Sequence, residues 1–160
     1  MTVYLYIVRH GEAEPLTQED QARALTEHGK WEAQRTALWL KTQVTEFSHT
    51  FVSPYIRAQQ TKDIILEHGP STLLQETETM LTPEGNATAA MDYILASIDQ
   101  KSEHEQHILC VSHMPLVSYL IGELTGYTPI MATAGVAQIA VDIEKWQGHL
   151  KALLSPEQML

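Results

Sequence analysis

Residues 3–12 read VYLYIVRHGE, and this stretch decides how the rest of the chain is understood. Val3 to Val8 form a short, partly β-branched apolar run, the pattern of a strand buried on both faces. The run stops at Arg9, His10 and Gly11. A cation, an imidazole and a glycine at the tip of a buried strand describe either a solvated strand end or a reactive site. The remainder of the chain has to separate the two.

Helical and extended patterns alternate downstream. Thr26 is placed as an N-cap, and Trp31, Ala33, Ala37, Leu38, Leu40 and Val44 repeat at helical spacing over residues 26–44. Thr50-Phe51-Val52 reads as a strand. Ser53-Pro54 then reads as an N-cap with proline at the first helical position, opening a helix to about Glu67 that Gly69-Pro70 stops. Residues 76–87 read as an acidic loop. A helix over 88–99 is expected to bury Ala90, Tyr93, Ile94, Ala96 and Ile98. His107–Ser112 reads as a second buried strand, Pro115 opens a helix to about Thr125, and Val136–Ile143 pairs with Gly148–Leu154 as a hairpin. The alternation predicts an α/β fold, a three-layer α/β/α sandwich with a mainly parallel central sheet. The 160 residues suit one domain, expected over residues 1–155, with a short tail at 156–160 that frays.

Composition narrows the partners. The hydrophobic fraction is 44% and the formal net charge is −10. An acidic surface repels phosphate backbones and anionic lipid, so neither nucleic acid nor a membrane is expected as partner. No apolar run reaches the roughly 18 residues of a membrane span, and the start lacks the charged region and cleavage site of a secretory signal. The lone Cys110 lies in an apolar run and fits a reducing compartment, so a cytoplasmic protein is expected. His104 and His107 have no carboxylate or cysteine pattern to complete a ligand set, and no metal or other cofactor is expected.

In so acidic a chain the few arginines stand out: Arg9, Arg23, Arg35 and Arg57. Arg9 ends the first strand, Arg57 falls in the first turn of the helix after the second, and His113 follows the third. Ligands of open α/β sheets bind beyond the carboxyl ends of the strands. If the three strands are parallel neighbours, two arginines and two histidines meet at one sheet edge. Arginine forks bind phosphate oxygens, a helix N-terminus adds N–H donors, and two imidazoles can supply a nucleophile and its partner.

These residues carry a family resemblance. Arg9-His10-Gly11-Glu12, Ser53-Pro54…Arg57-Ala58…Gln60-Thr61 and Ser112-His113 resemble the histidine phosphatase superfamily, also called phosphoglycerate mutase-like. Arg23-Ala24-Leu25-Thr26, Leu81-Thr82-Pro83-Glu84-Gly85 and Ser112-His113-Met114-Pro115-Leu116-Val117 make the chain most similar to the SixA-type phosphohistidine phosphatases, over residues 3 to about 143.

The resemblance implies a phosphohistidine phosphatase in which His10 is the nucleophile, Arg9 and Arg57 clamp the phosphoryl oxygens and His113 stabilises the transferring group. Arg23 is either a third phosphate contact or a loop arginine. Glu12 lines the pocket mouth or is solvated. Many superfamily members place a carboxylic acid near a basic leaving alkoxide. Here Met80 stands where some relatives are acidic, with Glu76, Glu78 and Glu84 nearby. An imidazole leaving group, with a conjugate-acid pKa of about 6.5, needs such an acid less.

The short chain leaves little for a lid, which suits a phosphohistidine borne on a histidine-phosphotransfer domain or a phosphocarrier protein. A monomer is expected. The alternatives are a small-molecule phosphomonoesterase of the same superfamily and a non-catalytic phosphate-binding protein on this fold.

Overall fold

Strand β1 (Val3–Arg9) sends Val3, Leu5 and Ile7 into one hydrophobic cluster and Tyr6 and Val8 into another. Both of its faces are covered, which is why its sequence is a continuous apolar run rather than an alternating one. The computed structural model describes residues 2–16 and 19–159. Met1 and Leu160, the outer ends of the expected domain and tail, lie outside them.

After β1 come α1 (Glu27–Gln43), β2 (Glu46–Val52), α2 (Ile56–His68), β3 (Ser71–Thr77), α3 (Ala87–Ala96), β4 (Gln106–Ser112), α4 (Leu116–Thr125), β5 (Val136–Asp142) and β6 (Gln147–Leu154). The six strands form one sheet in the order β3-β2-β4-β1-β5-β6. The pairs β3·β2, β2·β4 and β4·β1 are parallel, and β1·β5 and β5·β6 are antiparallel. One cluster joins the sheet to α3 and α4 through Ala90, Ile94, Leu116 and Leu120. The other joins it to α1 and α2 through Ala37, Leu40, Ala58 and Ile65. The result is the expected α/β/α sandwich with a parallel core.

Several local expectations change. β2 starts at Glu46, four residues before the apolar Thr50-Phe51-Val52 segment, because its first half is polar. β3 occupies the sheet edge and the start of the expected acidic loop, with Leu73 and Leu74 exposed. Helix α2 has Tyr55 as its N-cap, so Ser53 and Pro54 stand further out than the sequence suggests. Trp31 and Leu38 are on the surface of α1, where Trp31 stacks on His28 and lies under the Arg35 guanidinium. On α3, Tyr93 and Ala96 are exposed too. Residues 156–159 do not fray: Met159 is buried in the α1–α2 cluster and its carbonyl accepts from Arg35 Nη2.

The turn after β1 is locked to the start of α1 by two facing glycines. A Cβ on Gly29 would lie 2.1 Å from the Glu12 carbonyl oxygen, and one on Gly11 would lie 2.6 Å from the Gly29 oxygen. Alanine's better helix propensity contributes at most about 1 kcal/mol. Forcing backbone apart costs about 1–3 kcal/mol, occasionally more. The clash wins, so Gly29→Ala is expected to lower the urea midpoint; an unchanged or raised midpoint would contradict this packing.

Candidate active site

The carboxyl ends of β1, β4 and β2 lie side by side and in register. Arg9 pairs with Ser112, the His10 N–H donates to the Ser112 carbonyl at 3.0 Å, and the Ser53 N–H donates to Val111 at 3.1 Å. His10, Ser53 and His113 thereby stand level on one edge of the sheet, each just past the end of a rigid strand. The His10 and His113 rings are 5.1 Å apart, centroid to centroid. Arg57, from the first turn of α2, is buried and reaches His10.

The His10 ring is held at both nitrogens. Nδ1 lies 2.7 Å from the Gly11 carbonyl oxygen, and Arg57 Nε lies 3.2 Å from Nε2. A carbonyl only accepts and a guanidinium only donates. Nδ1 therefore carries the proton, and Nε2 presents its lone pair toward Arg57. Burial chiefly, with the charges of Arg57, Arg9 and Arg23, lowers the His10 pKa to about 4, although the Gly11 hydrogen bond works the other way. Burial, then the neighbouring His10 and Arg57, lowers that of His113 to about 3.

Both rings are thus neutral at pH 7. In an NMR titration, the ring signals lost in His10→Ala and His113→Ala variants should stay fixed from pH 8 to 5. A midpoint near the ordinary value of about 6.5 would contradict the geometry. The unfolded chain binds these protons first, so both histidines contribute stability that is complete above about pH 6.5 and is lost as pH falls toward 4 and 3.

His113 Nε2 is 2.7 Å from Ser53 Oγ, which also accepts from the Tyr55 N–H. The Tyr55 ring meets His113 edge-on, 5.0 Å between centroids. His113 Nδ1 is buried and has no hydrogen-bond partner among the described residues. Ser53, read from sequence as a helix cap, instead orients the second imidazole. Arg9 is tied by Nη1 to the Met131 carbonyl at 2.8 Å, while its buried Nε has no partner among the described residues. Thr61 Oγ1 accepts from the Gly11 N–H and donates to the Arg57 carbonyl, so one hydroxyl spaces the His10 turn from the Arg57 turn.

Arg23 is brought to the edge of this group through Asp20. Arg23 Nη1 donates to Asp20 Oδ1 at 3.0 Å, and Arg57 Nη2 donates to Asp20 Oδ2 at 3.1 Å. Nothing in the sequence singled out Asp20, since a lone aspartate in a polar loop has no spacing to read. Glu12 is exposed and accepts from the Thr26 hydroxyl. Its N–H donates to the buried Glu32, whose other oxygen accepts from Thr133.

Of the possible acids, Glu76 is engaged by His49 at 2.9 Å and by the Tyr93 hydroxyl at 2.9 Å, and Glu84 is exposed. Glu78 has its pKa raised, by desolvation and by the adjacent Glu76 carboxylate. His28, Glu32 and Glu157 have potential metal-ligating atoms within 4.8 Å of one another. Glu32 already uses both oxygens on protein donors, so this grouping is no prepared site.

Comparison with known proteins identifies the family. The histidine phosphatase superfamily (branch 1) pattern matches residues 5–81. Phosphohistidine phosphatase SixA of Escherichia coli is 34% identical over 154 residues, covering 95% of this chain and 93% of that protein. The chain belongs to the histidine phosphatase superfamily. A solved structure of the protein histidine phosphatase SixA complexed with tungstate is 31% identical, covers 98% of this chain and 99% of its own, and superposes with a TM-score of 0.89. A phosphoglycerate mutase from Plasmodium falciparum, 19% identical and covering 99% of this chain and 94% of its own, shares the fold with a TM-score of 0.72. The sheet is thus the phosphoglycerate mutase-like one, and the His10, Arg57 and His113 side chains meet at its carboxyl edge.

Proposed function

We propose that this protein is a phosphohistidine phosphatase working through a phosphorylated His10. The observation that carries the reading is the fixed tautomer: Nε2 of His10 is bare, buried and faced by the Arg57 guanidinium. The Nε2 lone pair attacks phosphorus, and the P–N bond of the substrate breaks. The substrate ring carries a solvent-derived proton on its other nitrogen, so it departs as neutral imidazole, and the phosphoryl group rests on His10 Nε2. Water then attacks phosphorus, the P–N bond to His10 breaks, inorganic phosphate leaves, and the neutral ring is restored.

Arg57 and Arg9 hold the equatorial oxygens as charge moves across them. The Ser53 hydroxyl, which accepts from Tyr55, donates to His113 Nε2. This leaves Nδ1–H of His113 as a donor to the transferring group. Arg23 acts at the rim, through Asp20. Kinship with SixA, whose name states a phosphohistidine substrate, supports the same class here.

We also read the chain as one catalytic domain. It acts as a cytoplasmic monomer on a histidine-phosphotransfer domain or a phosphocarrier protein. Among the described residues no helix is long and apolar enough to cross a membrane.

The deciding experiment compares phosphate release from a phosphohistidine-bearing phosphotransfer domain with release from a panel of sugar phosphates. Faster turnover of the phosphohistidine protein is expected. Glu78, with its raised pKa, keeps the phosphomonoesterase reading testable. Rapid sugar-phosphate hydrolysis that is lost in Glu78→Gln would replace the present reading with that one.

A further inference from the structure

Arg57 has each of its three nitrogens engaged inside the protein. Nε faces His10 Nε2, Nη1 donates to the Asp20 carbonyl at 2.7 Å, and Nη2 donates to Asp20 Oδ2. The edge formed by Nε and Nη2 points at the nucleophilic nitrogen. Bidentate capture of a phosphoryl group uses a whole guanidinium edge. The Nη2 end of that edge is held by a carboxylate oxygen, and the second oxygen of the same carboxylate is held by Arg23. An internal anion is therefore bound between two arginines, on the guanidinium edge whose other nitrogen faces His10 Nε2.

We propose that the Asp20 carboxylate occupies part of the phosphoryl-binding position and swings out when the phosphoryl group is clamped, so that it weakens capture of free oxyanions and speeds loss of the phosphate product. This inference rests on the reading of His10 as the phosphoryl acceptor.

Three features support it. A phosphoryl group and a carboxylate cannot share one arginine edge without like-charge repulsion. Asp20 begins a short surface turn, Asp20–Ala22, and its side chain is 40% exposed, so rotation outward meets solvent. Its backbone carbonyl separately holds Arg57 Nη1, so the guanidinium keeps an anchor when the carboxylate leaves. The carboxylate is a firm competitor. Partial desolvation opposes its charge, but the hydrogen bonds from Arg23 and Arg57 together outweigh this and keep its pKa below the ordinary value.

The test is calorimetric titration of inorganic phosphate into the wild-type chain, Asp20→Asn and Asp20→Ala at pH 7.5. Both variants are expected to bind phosphate about threefold to tenfold more tightly, the scale of a partly exposed charge pair. The inhibition constant for phosphate in turnover assays should fall by the same factor.

A gain in affinity cannot arise from a damaged fold. It also separates a competing anion from a residue that merely steadies Arg57, whose loss would weaken binding. Unchanged or weaker binding in both variants, or no binding by any of the three proteins, overturns the proposal. Turnover of a phosphohistidine protein by the wild type is measured separately. Its failure alongside tightened phosphate binding would sink the assigned reaction and leave the role of Asp20 standing.

Discussion

Replacing His10 with alanine is expected to lower phosphohistidine turnover by about ten-thousand-fold or more, the scale seen when a covalent nucleophile is removed. The proposed reaction has no second route. His113 Nε2 is engaged with Ser53, and its ring is neutral and buried. Water would have to attack the substrate directly, helped only by the arginines. The same variant should show no labelled phosphoenzyme when radioactive phosphohistidine protein is mixed with it and quenched in alkali. Because His10 already sits uncharged in its pocket, alanine removes chemistry without leaving an unpaired charge. A residual rate within tenfold of wild type, with the fold intact by circular dichroism, would refute the covalent mechanism.

Arg57→Lys should cost about a hundredfold to a thousandfold in kcat, although the charge is kept. Lysine offers a point charge on a flexible stem. It cannot simultaneously face His10 Nε2, the Asp20 carbonyl and a phosphoryl oxygen, as the arginine plane does. It also forfeits the packing of the guanidinium against the Tyr55 ring, 5.1 Å away. The loss should fall mainly on kcat, since the fork meets the group as charge redistributes. Single-turnover kinetics will separate this from weaker binding. A change in KM alone would mean that Arg57 only gathers substrate.

How much of this was legible in the sequence depends on which physical signal each residue carries. β1 and β4 were readable because covering on both faces produces an unbroken apolar run. β3 was not, because an edge strand with Leu73 and Leu74 in solvent has no reason to show a buried pattern. Trp31 and Leu38 misled for the reverse reason: their spacing fits a buried stripe, yet α1 turns them outward.

The meeting of His10, Arg9, Arg57 and His113 was legible because Arg9 ends β1, His10 and His113 follow directly on β1 and β4, Arg57 lies in the first turn of α2, and topology does the rest. The residues that hold them are of another kind. Asp20, Ser53, Thr61 and Glu32 act through hydrogen bonds between segments distant in the chain, such as Glu32 to Thr133 and His113 to Ser53. No local spacing encodes such contacts. They become visible only when the sheet order is known.

The proton that leaves His10 Nε2 bare is held by the carbonyl oxygen of Gly11, a main-chain atom. No codon change can delete it. The tautomer of the proposed attacking ring is therefore insulated from ordinary genetic drift, unlike that of a histidine oriented by an aspartate. What mutation can reach is the position of that oxygen, which the back-to-back contact of Gly11 with Gly29 and the Thr61 hydroxyl on the Gly11 N–H hold in place. In this protein a heritable vulnerability of the proposed nucleophile therefore lies in two residues that have no side chain.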